Sequence, residues 1–452
     1  MKKFFVIFLL SFFSFGVFAI DCTKIDDYLT SVVKANHIPG MAFILTDADE
    51  TLFCKTYGQC TNENQQFFIG SESKSFTALC TMQLVEKGLI NLDDDISKYL
   101  PELKFDKPVT VKSLLNQTSG FGNTMRLSDI KITKSYGKYE YSNLNYDLLG
   151  KIIEKASKMS YEEYIQKNVF EPLSMKNSIA NTQKVKNNGK LLLGNRNYFG
   201  FFVQGDADYP KENSWFHESA GFIATTPSDH GKYLRMFLNG GLSDNNNQII
   251  QKESINKMWF DNVEISKKES IRYGMGWNCD RLNDGFIISH GGQVENYITY
   301  QFILPQKNLA ANFMINANDQ FGMNALMANT IPDLILIINN EEPSKVNVFL
   351  YPLIHILLDI IYLLIFGFSV LIFCKSFKKK DKYNRKDVVF MILKYVLWPF
   401  ALLSFSTIFA RMPLWVVKSY VPDLFFVIVV SSVLSFSGII VIFCKRFLHL
   451  NK

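Results

Sequence analysis

A chain of 452 residues is too long for one ordinary domain and long enough for a large enzyme core plus something else. The net charge of +6 is unevenly spread: residues 348–452 hold thirteen Lys and Arg against four Asp, and Lys2 and Lys3 sit in a leader, so the stretch between them carries −5. That excludes a basic surplus for nucleic acid in the main body of the chain.

The leader comes first. Met1-Lys2-Lys3 precedes an apolar run from Phe4 to Phe18 that ends in Val17-Phe18-Ala19, the pattern of a secretory signal peptide cleaved after Ala19. An uncleaved anchor is the other reading, disfavoured by the shortness of the run. Cys22 to Asn36 then predicts a helix, and Gly40 to Leu45 and Thr51 to Gly58 predict two strands joined by the turn Asp47 to Glu50, a hairpin at a sheet edge. Apolar residues at threes and fours (Phe76, Leu79, Cys80, Leu84) predict a helix from Ser71 to Gly88, with further helices over Tyr146 to Lys158 and Tyr161 to Val169. Strands return at Tyr273 to Trp277, Phe286 to Ser289, Tyr297 to Leu304 and Ala310 to Ile315, and Met323 to Ile338 predicts a closing helix. Strands at both ends and helices between imply one α/β domain: a sheet built from sequence-distant pieces, flanked by helices, with a helical subdomain and a cleft between them.

Leu350 to Cys374, Val388 to Ala410 and Leu424 to Cys444 are three apolar stretches, each long enough to cross a hydrocarbon layer about 30 Å thick. Between the first two, Lys375 to Asp387 carries seven basic and two acidic residues, and Lys445, Arg446 and Lys452 close the chain. Basic loops stay in the cytoplasm, which sends everything before the first span, and the loop Arg411 to Asp423, to the opposite side. The expected organisation is a signal peptide over 1–19, a catalytic domain over 20–346 and a three-helix transmembrane domain over 347–452, a multi-pass cell-membrane protein with its catalytic domain extracytoplasmic. The basic loop also suits contact with anionic membrane lipid. Within the first span, His355 and Asp359 share one face, where an inter-helix packing role and a functional one are equally open. Lys394 is expected to snorkel to the cytoplasmic surface. The seven cysteines lack metal-site spacing; for Cys54 and Cys60, a disulfide and free structural thiols are both open.

Chemistry concentrates at Ser71-Glu72-Ser73-Lys74. A serine and a lysine three apart at a helix start project from one face, and a neutral lysine there can take the hydroxyl proton. The spacing alone is common, recurring at Ser128/Lys131, Ser135/Lys138, Ser254/Lys257 and Ser376/Lys379. What singles out the first instance is its company. Tyr141-Ser142-Asn143 is the only Tyr-x-Asn in the chain, and His290-Gly291-Gly292 follows the predicted strand Phe286 to Ser289.

In that order the three motifs resemble those of the serine β-lactamase and penicillin-binding superfamily, within it the class C β-lactamase and DD-peptidase-like branch. Flanking phrases add to the likeness: Lys87 to Asp94, Leu114 to Gly120, Ala220-Gly221-Phe222 and Tyr273 to Trp277. The resemblance spans roughly residues 25 to 335 and leaves the membrane segment uncovered. It implies a β-lactamase-like fold and acyl-enzyme chemistry without metal or organic cofactor. Ser71 would be the nucleophile, Lys74 would help remove its proton, and Tyr141 would relay protons to the leaving group and from the deacylating water. Asn143 would hydrogen-bond the substrate, and the backbone N–H groups of Ser71 and Gln293 would form an oxyanion hole beside His290 and Gly292. The glycines are expected to keep the strand along which substrate lies unobstructed.

One departure bears on substrate. Where the β-lactam-hydrolysing members have Lys-Thr-Gly, this chain has His290-Gly291-Gly292, without the permanent cation and hydroxyl that bind a substrate carboxylate. Esters and uncharged amides therefore fit at least as well as cell-wall peptides, D-amino acid amides or β-lactams. The competing expectation is a catalytically silent envelope binding or scaffold protein with the same fold.

Overall fold

The computed structural model describes residues 20–206, 209–211, 214–266, 270–378, 384–409 and 412–450. The expected signal peptide and the middle of the basic loop, residues 379–383, lie outside them. The elements that position the site are, in chain order, α1 (Cys22–Ala35), β1 (Gly40–Thr46), β2 (Thr51–Gly58), α2 (Ser73–Glu86), α3 (Asn143–Ser157), β3 (Gly194–Tyr198), β4 (Phe201–Gly205), α4 (Pro227–Leu238), β5 (Val263–Ser266), β6 (Ile271–Tyr273), β7 (Asn278–Leu282), β8 (Gly285–Val294), β9 (Tyr297–Leu304), β10 (Leu309–Ile315) and α5 (Gly322–Ile338). The C-terminal part adds α6 (Leu350–Ser376), α7 (Arg385–Ile392), α8 (Trp398–Phe409), α9 (Leu414–Tyr420) and α10 (Pro422–Leu450).

Local rules explain the first elements. Asp21 accepts the Lys24 N–H at 3.0 Å and starts α1, whose Ile25, Leu29 and Val32 form the buried stripe. β1 is buried along its whole length, so its sequence is a continuous apolar run and not an alternation. Met41, Phe43 and Leu45 join the core formed with α1 and α5, while Ala42 joins the core on the other side. The sheet has eight strands in the order β2-β1-β10-β9-β8-β7-β6-β5, and its ladders are antiparallel. The hairpin of β1 and β2 lies at one edge, and β1 closes on β10 through Met41↔Ile315. A sheet assembled from both ends of the catalytic region, with helices inserted between, is the architecture expected from the sequence.

Four boundaries differ from expectation. The run Tyr273 to Trp277 is not one strand: β6 ends at Tyr273, and Gly274 donates its N–H to Trp277 O at 2.7 Å in a reversal that brings Asn278 opposite Tyr273. His290-Gly291-Gly292 does not follow a strand but lies within β8, paired with Gln301, Tyr300 and Thr299 of β9. The helix expected from Tyr146 starts at Asn143, and the one expected over Tyr161 to Val169 passes from an α-turn into a π-turn at Gln166–Phe170. Cys54 and Cys60 are free thiols, as are the other five cysteines.

In the C-terminal part, Leu350–Ser376, Arg385–Ile408 and Pro422–Lys445 are long and apolar enough to cross a membrane, with mean hydropathies of 2.7, 2.0 and 2.6. The second runs through α7, a π-turn at Leu393–Leu397 and α8. Small residues let the helices approach: a Cβ on Gly438 would lie 2.4 Å from the Tyr395 ring, and Ser369 accepts the Trp398 indole N–H at 3.1 Å. Lys394 lies over the Phe390 ring, and Asp359 Oδ1 has no hydrogen-bond partner among the described residues.

Candidate active site

Ser71 sits in a tight helical turn, Gly70–Glu72, that leads straight into α2. The turn is pressed against β8. Gly70 has φ +53°, and a Cβ there would fall 2.2 Å from the backbone nitrogen of Gln293. From the other side, a Cβ on Gly292 would fall 1.8 Å from Ile69 O and 2.3 Å from Thr299 Oγ1. Both glycines are therefore required for the close approach of two backbones, which brings the Gln293 N–H beside the turn that carries Ser71. The physical reason for Gly292 thus differs from the expected one: its missing side chain makes room for the Ile69 carbonyl and Thr299. Gln293 is braced by its side-chain amide, which donates to Asn318 Oδ1 at 2.8 Å and Gln320 Oε1 at 2.9 Å.

Lys74, one turn along α2, is fully buried and has three acceptors around Nζ: Ser71 Oγ at 3.0 Å, Asn143 Oδ1 at 2.7 Å and Ala220 O at 2.6 Å. Burial brings its pKa down to about 7, against a smaller upward pull from Asp147. A neutral amine needs only two of those acceptors. Donating to Asn143 and Ala220, it aims its lone pair at the Ser71 hydroxyl. Beneath Ser71, Glu72 and His230 lie 3.6 Å apart and wholly buried. Burial raises the Glu72 carboxyl well above its ordinary range and lowers His230 to about 4.

Tyr141 lies beside this pair, its ring centroid 5.0 Å from Lys74 Nζ. Burial pushes its phenol well above the ordinary value, and a hydrogen bond with Ser71 only partly opposes this, so Tyr141 keeps its proton near neutrality and can donate it. His290 is also buried. Its Nδ1–H donates to Gly291 O at 2.7 Å, which leaves Nε2 to accept the Tyr273 hydroxyl at 3.3 Å. Burial and the charge Lys74 carries when protonated push its pKa down to about 3. At neutral pH His290 is an uncharged ring, further from a carboxylate-binding cation than its sequence position suggests.

Ser71, Tyr141, Asn143, His290, Gly292 and Gln293 line one cleft of about 500 Å³, and Lys74 closes it from beneath. Sequence reasoning missed several of its walls: Trp215, Tyr273, Asn123 and a set of residues between Met412 and Val421. Ala220 was visible only as part of a phrase, since what it contributes is a backbone carbonyl. A larger cavity of about 610 Å³ lies between Asp147, His217 and Glu218 and holds none of the motif residues.

An antiparallel sheet with a serine and a buried lysine on the helix beneath it defines the β-lactamase-like class of serine hydrolase folds. The chain matches the Beta-lactamase family over residues 25–330 and belongs to it. Protein flp of Staphylococcus aureus is 26% identical over 391 aligned residues, covering 76% of this chain and 73% of that protein. Among solved structures, an octameric penicillin-binding protein homologue from Pyrococcus abyssi matches with a TM-score of 0.60 and 25% identity, over 72% of this chain and 79% of that one. A class C β-lactamase matches with a TM-score of 0.56 over 72% of this chain and 97% of its own, a likeness of fold at 22% identity.

Proposed function

We propose that this chain is a membrane-anchored serine hydrolase, its catalytic domain on the extracytoplasmic side, acting through an acyl-enzyme at Ser71 on an ester or amide. The observation that carries this reading is the fully buried Lys74, brought down to about 7 and 3.0 Å from Ser71 Oγ. Ser71 attacks the carbonyl carbon as Lys74 takes its proton, forming the Oγ–C bond. Tyr141 hands a proton to the departing alkoxide or amine as the old C–O or C–N bond breaks. The Lys74 ammonium then reprotonates Tyr141, which restores both groups; water attacks the acyl carbon with its proton relayed through Tyr141 to Ser71 Oγ as the C–Oγ bond breaks and the acid leaves. The Ser71 and Gln293 N–H groups stabilise the oxyanion in both halves, and Asn143 orients both Lys74 and the substrate.

The neutral His290 favours substrates without a carboxylate at that end, so neutral esters and amides rank ahead of D-Ala-D-Ala ends and β-lactams. A serine-reactive fluorophosphonate tests the nucleophile. Wild type is expected to label, Ser71→Ala to lose the label, and Ser73→Ala to keep most of it, because Ser73 Oγ is occupied in accepting the Ile223 N–H at 3.2 Å. Undiminished labelling of Ser71→Ala overturns the assignment, and an unlabelled wild type supports a silent scaffold instead.

A further inference from the structure

One wall of the cleft comes from a part of the chain that carries no catalytic motif. Met412, Val416, Val417, Tyr420 and Val421, in and around α9, face the same cleft as Ser71. α9 joins two membrane-length helices, and Val421 immediately precedes the first residue of α10. The wall is tied to the catalytic domain: Trp415 packs edge-on to Trp215 at 5.2 Å, and the Arg126 guanidinium lies 4.5 Å over the Trp415 ring. The sequence predicts only that this segment is a loop on the side of the catalytic domain; the structure adds that it lines the same cleft as Ser71.

Two further features bear on what enters. Apart from Lys74 beneath Ser71, the described residues that line the cleft include no Asp, Glu, Lys or Arg, and His290 is neutral. Close by, the hairpin of β3 and β4 leans on the membrane-length helices, with Asn197 donating to Tyr351 Oη at 2.9 Å and the Phe199 N–H to Asp423 Oδ2 at 3.3 Å. The same hairpin leaves Phe201 75% and Val203 52% exposed, apolar surface suited to the edge of a bilayer.

We propose that the substrate is a membrane amphiphile: an ester or amide whose hydrocarbon tail lies against Met412, Val416, Val417 and Val421 while its carbonyl meets Ser71, delivered sideways from the leaflet next to the catalytic domain. The inference rests on Ser71 being the nucleophile and names the substrate class for that chemistry. Tail burial against α9 adds binding with every methylene, up to about fourfold each.

The test uses the full chain in lipid nanodiscs with two series of esters, p-nitrophenyl esters of acids from C2 to C12 and n-alkyl acetates from C2 to C12. In one series kcat/KM is expected to rise at least about tenfold from C2 to C10, and the responding series tells whether the tail belongs to the acyl or the alcohol half. Val417→Ser and, separately, Val416→Asn are expected to reduce that C10-to-C2 ratio at least about threefold, with fluorophosphonate labelling reporting that each variant is folded. A flat ratio in both series, or a ratio unmoved in both labelled variants, overturns the proposal and leaves Ser71 as nucleophile. Loss of labelling in wild type overturns the reading beneath it.

Discussion

The catalytic domain and the membrane-length helices place polar and apolar side chains in opposite ways. In the catalytic domain some of the groups that prefer water are inside: Lys74, Glu72 and His230 have no exposure, and burial shifts each toward its uncharged form. Among the helices the apolar groups are outside, with Leu363 68%, Leu364 67% and Phe443 62% exposed, while the buried polar residues are mostly small hydroxyls such as Ser369, Ser431 and Ser435. The first pattern costs desolvation energy and gains reactivity. The second belongs to a lipid surround, where helices approach through small residues. The two patterns meet along a seam, where each region contributes polar partners to the other: Asp319 to His355, Asn197 to Tyr351, and the Phe199 N–H to Asp423.

The largest effect expected from this contrast is all-or-none. If the helices span a bilayer with the catalytic domain outside, a reporter active only outside the cytoplasm works after Lys345 and near Met412, and fails near Lys380 and after Lys452. Activity at Lys380 with silence at Met412 reverses the orientation. Activity at every site breaks the comparison itself, because the exposed apolar helices would not then be facing lipid.

Next in size is the removal of the buried amine. Lys74→Met is expected to lower kcat/KM by about 10²–10⁴. In wild type the base form of Lys74 is the active one, so kcat/KM rises with pH up to about 7 and levels above it. His290, pushed down to about 3, adds no limb near the ordinary histidine value. Stability carries the same signature. Between pH 7 and the ordinary lysine value of 10.5 the unfolded chain binds the extra proton, so wild type gains stability with rising pH in that window, while Lys74→Met lacks the slope. A pH-independent kcat/KM between 5 and 9 would falsify the proton-acceptor role of Lys74.

How legible the site was in the sequence follows from how local each part is. Ser71, Lys74, Tyr141, Asn143 and His290 sit in short motifs, so their types and order pointed to one cleft before any coordinates did. The hairpin of β1 and β2 was legible for the same reason, a turn between two apolar runs. The Ala220 carbonyl was not, because a backbone acceptor leaves no mark on residue type. Nor was the wall at Val416 and Val417: those residues suit any loop near a membrane, and only the return of α9 onto Trp215 makes them part of the site. His290 shows the intermediate case. Its position was legible, but its charge depended on burial under Tyr273 and beside Lys74, which spacing does not encode.

The smallest expected effect lies at the seam and sharpens the contrast most directly. His355 shared a helix face with Asp359 in the sequence and offered packing or function; the structure joins it to the catalytic domain, with Nε2 2.7 Å from Asp319 Oδ2 and both side chains buried. His355→Ala leaves a buried carboxylate oxygen without that partner, which costs about 1–3 kcal/mol and lowers the melting temperature of the full chain in detergent. Ser71 is held elsewhere, by the Gly70–Glu72 turn, and Lys74 by Asn143 and the Ala220 carbonyl, so the rate of fluorophosphonate labelling at Ser71 is expected to change by less than about threefold, since groups that share no partner act independently. Asp319 lies between Asn318 and Gln320, the two residues that brace Gln293, and that is where a larger effect would arise. A tenfold or greater loss of labelling with an unchanged melting temperature would show that the seam sets the position of the Gln293 N–H, and that the membrane-length helices are part of the catalytic machinery as well as its anchor.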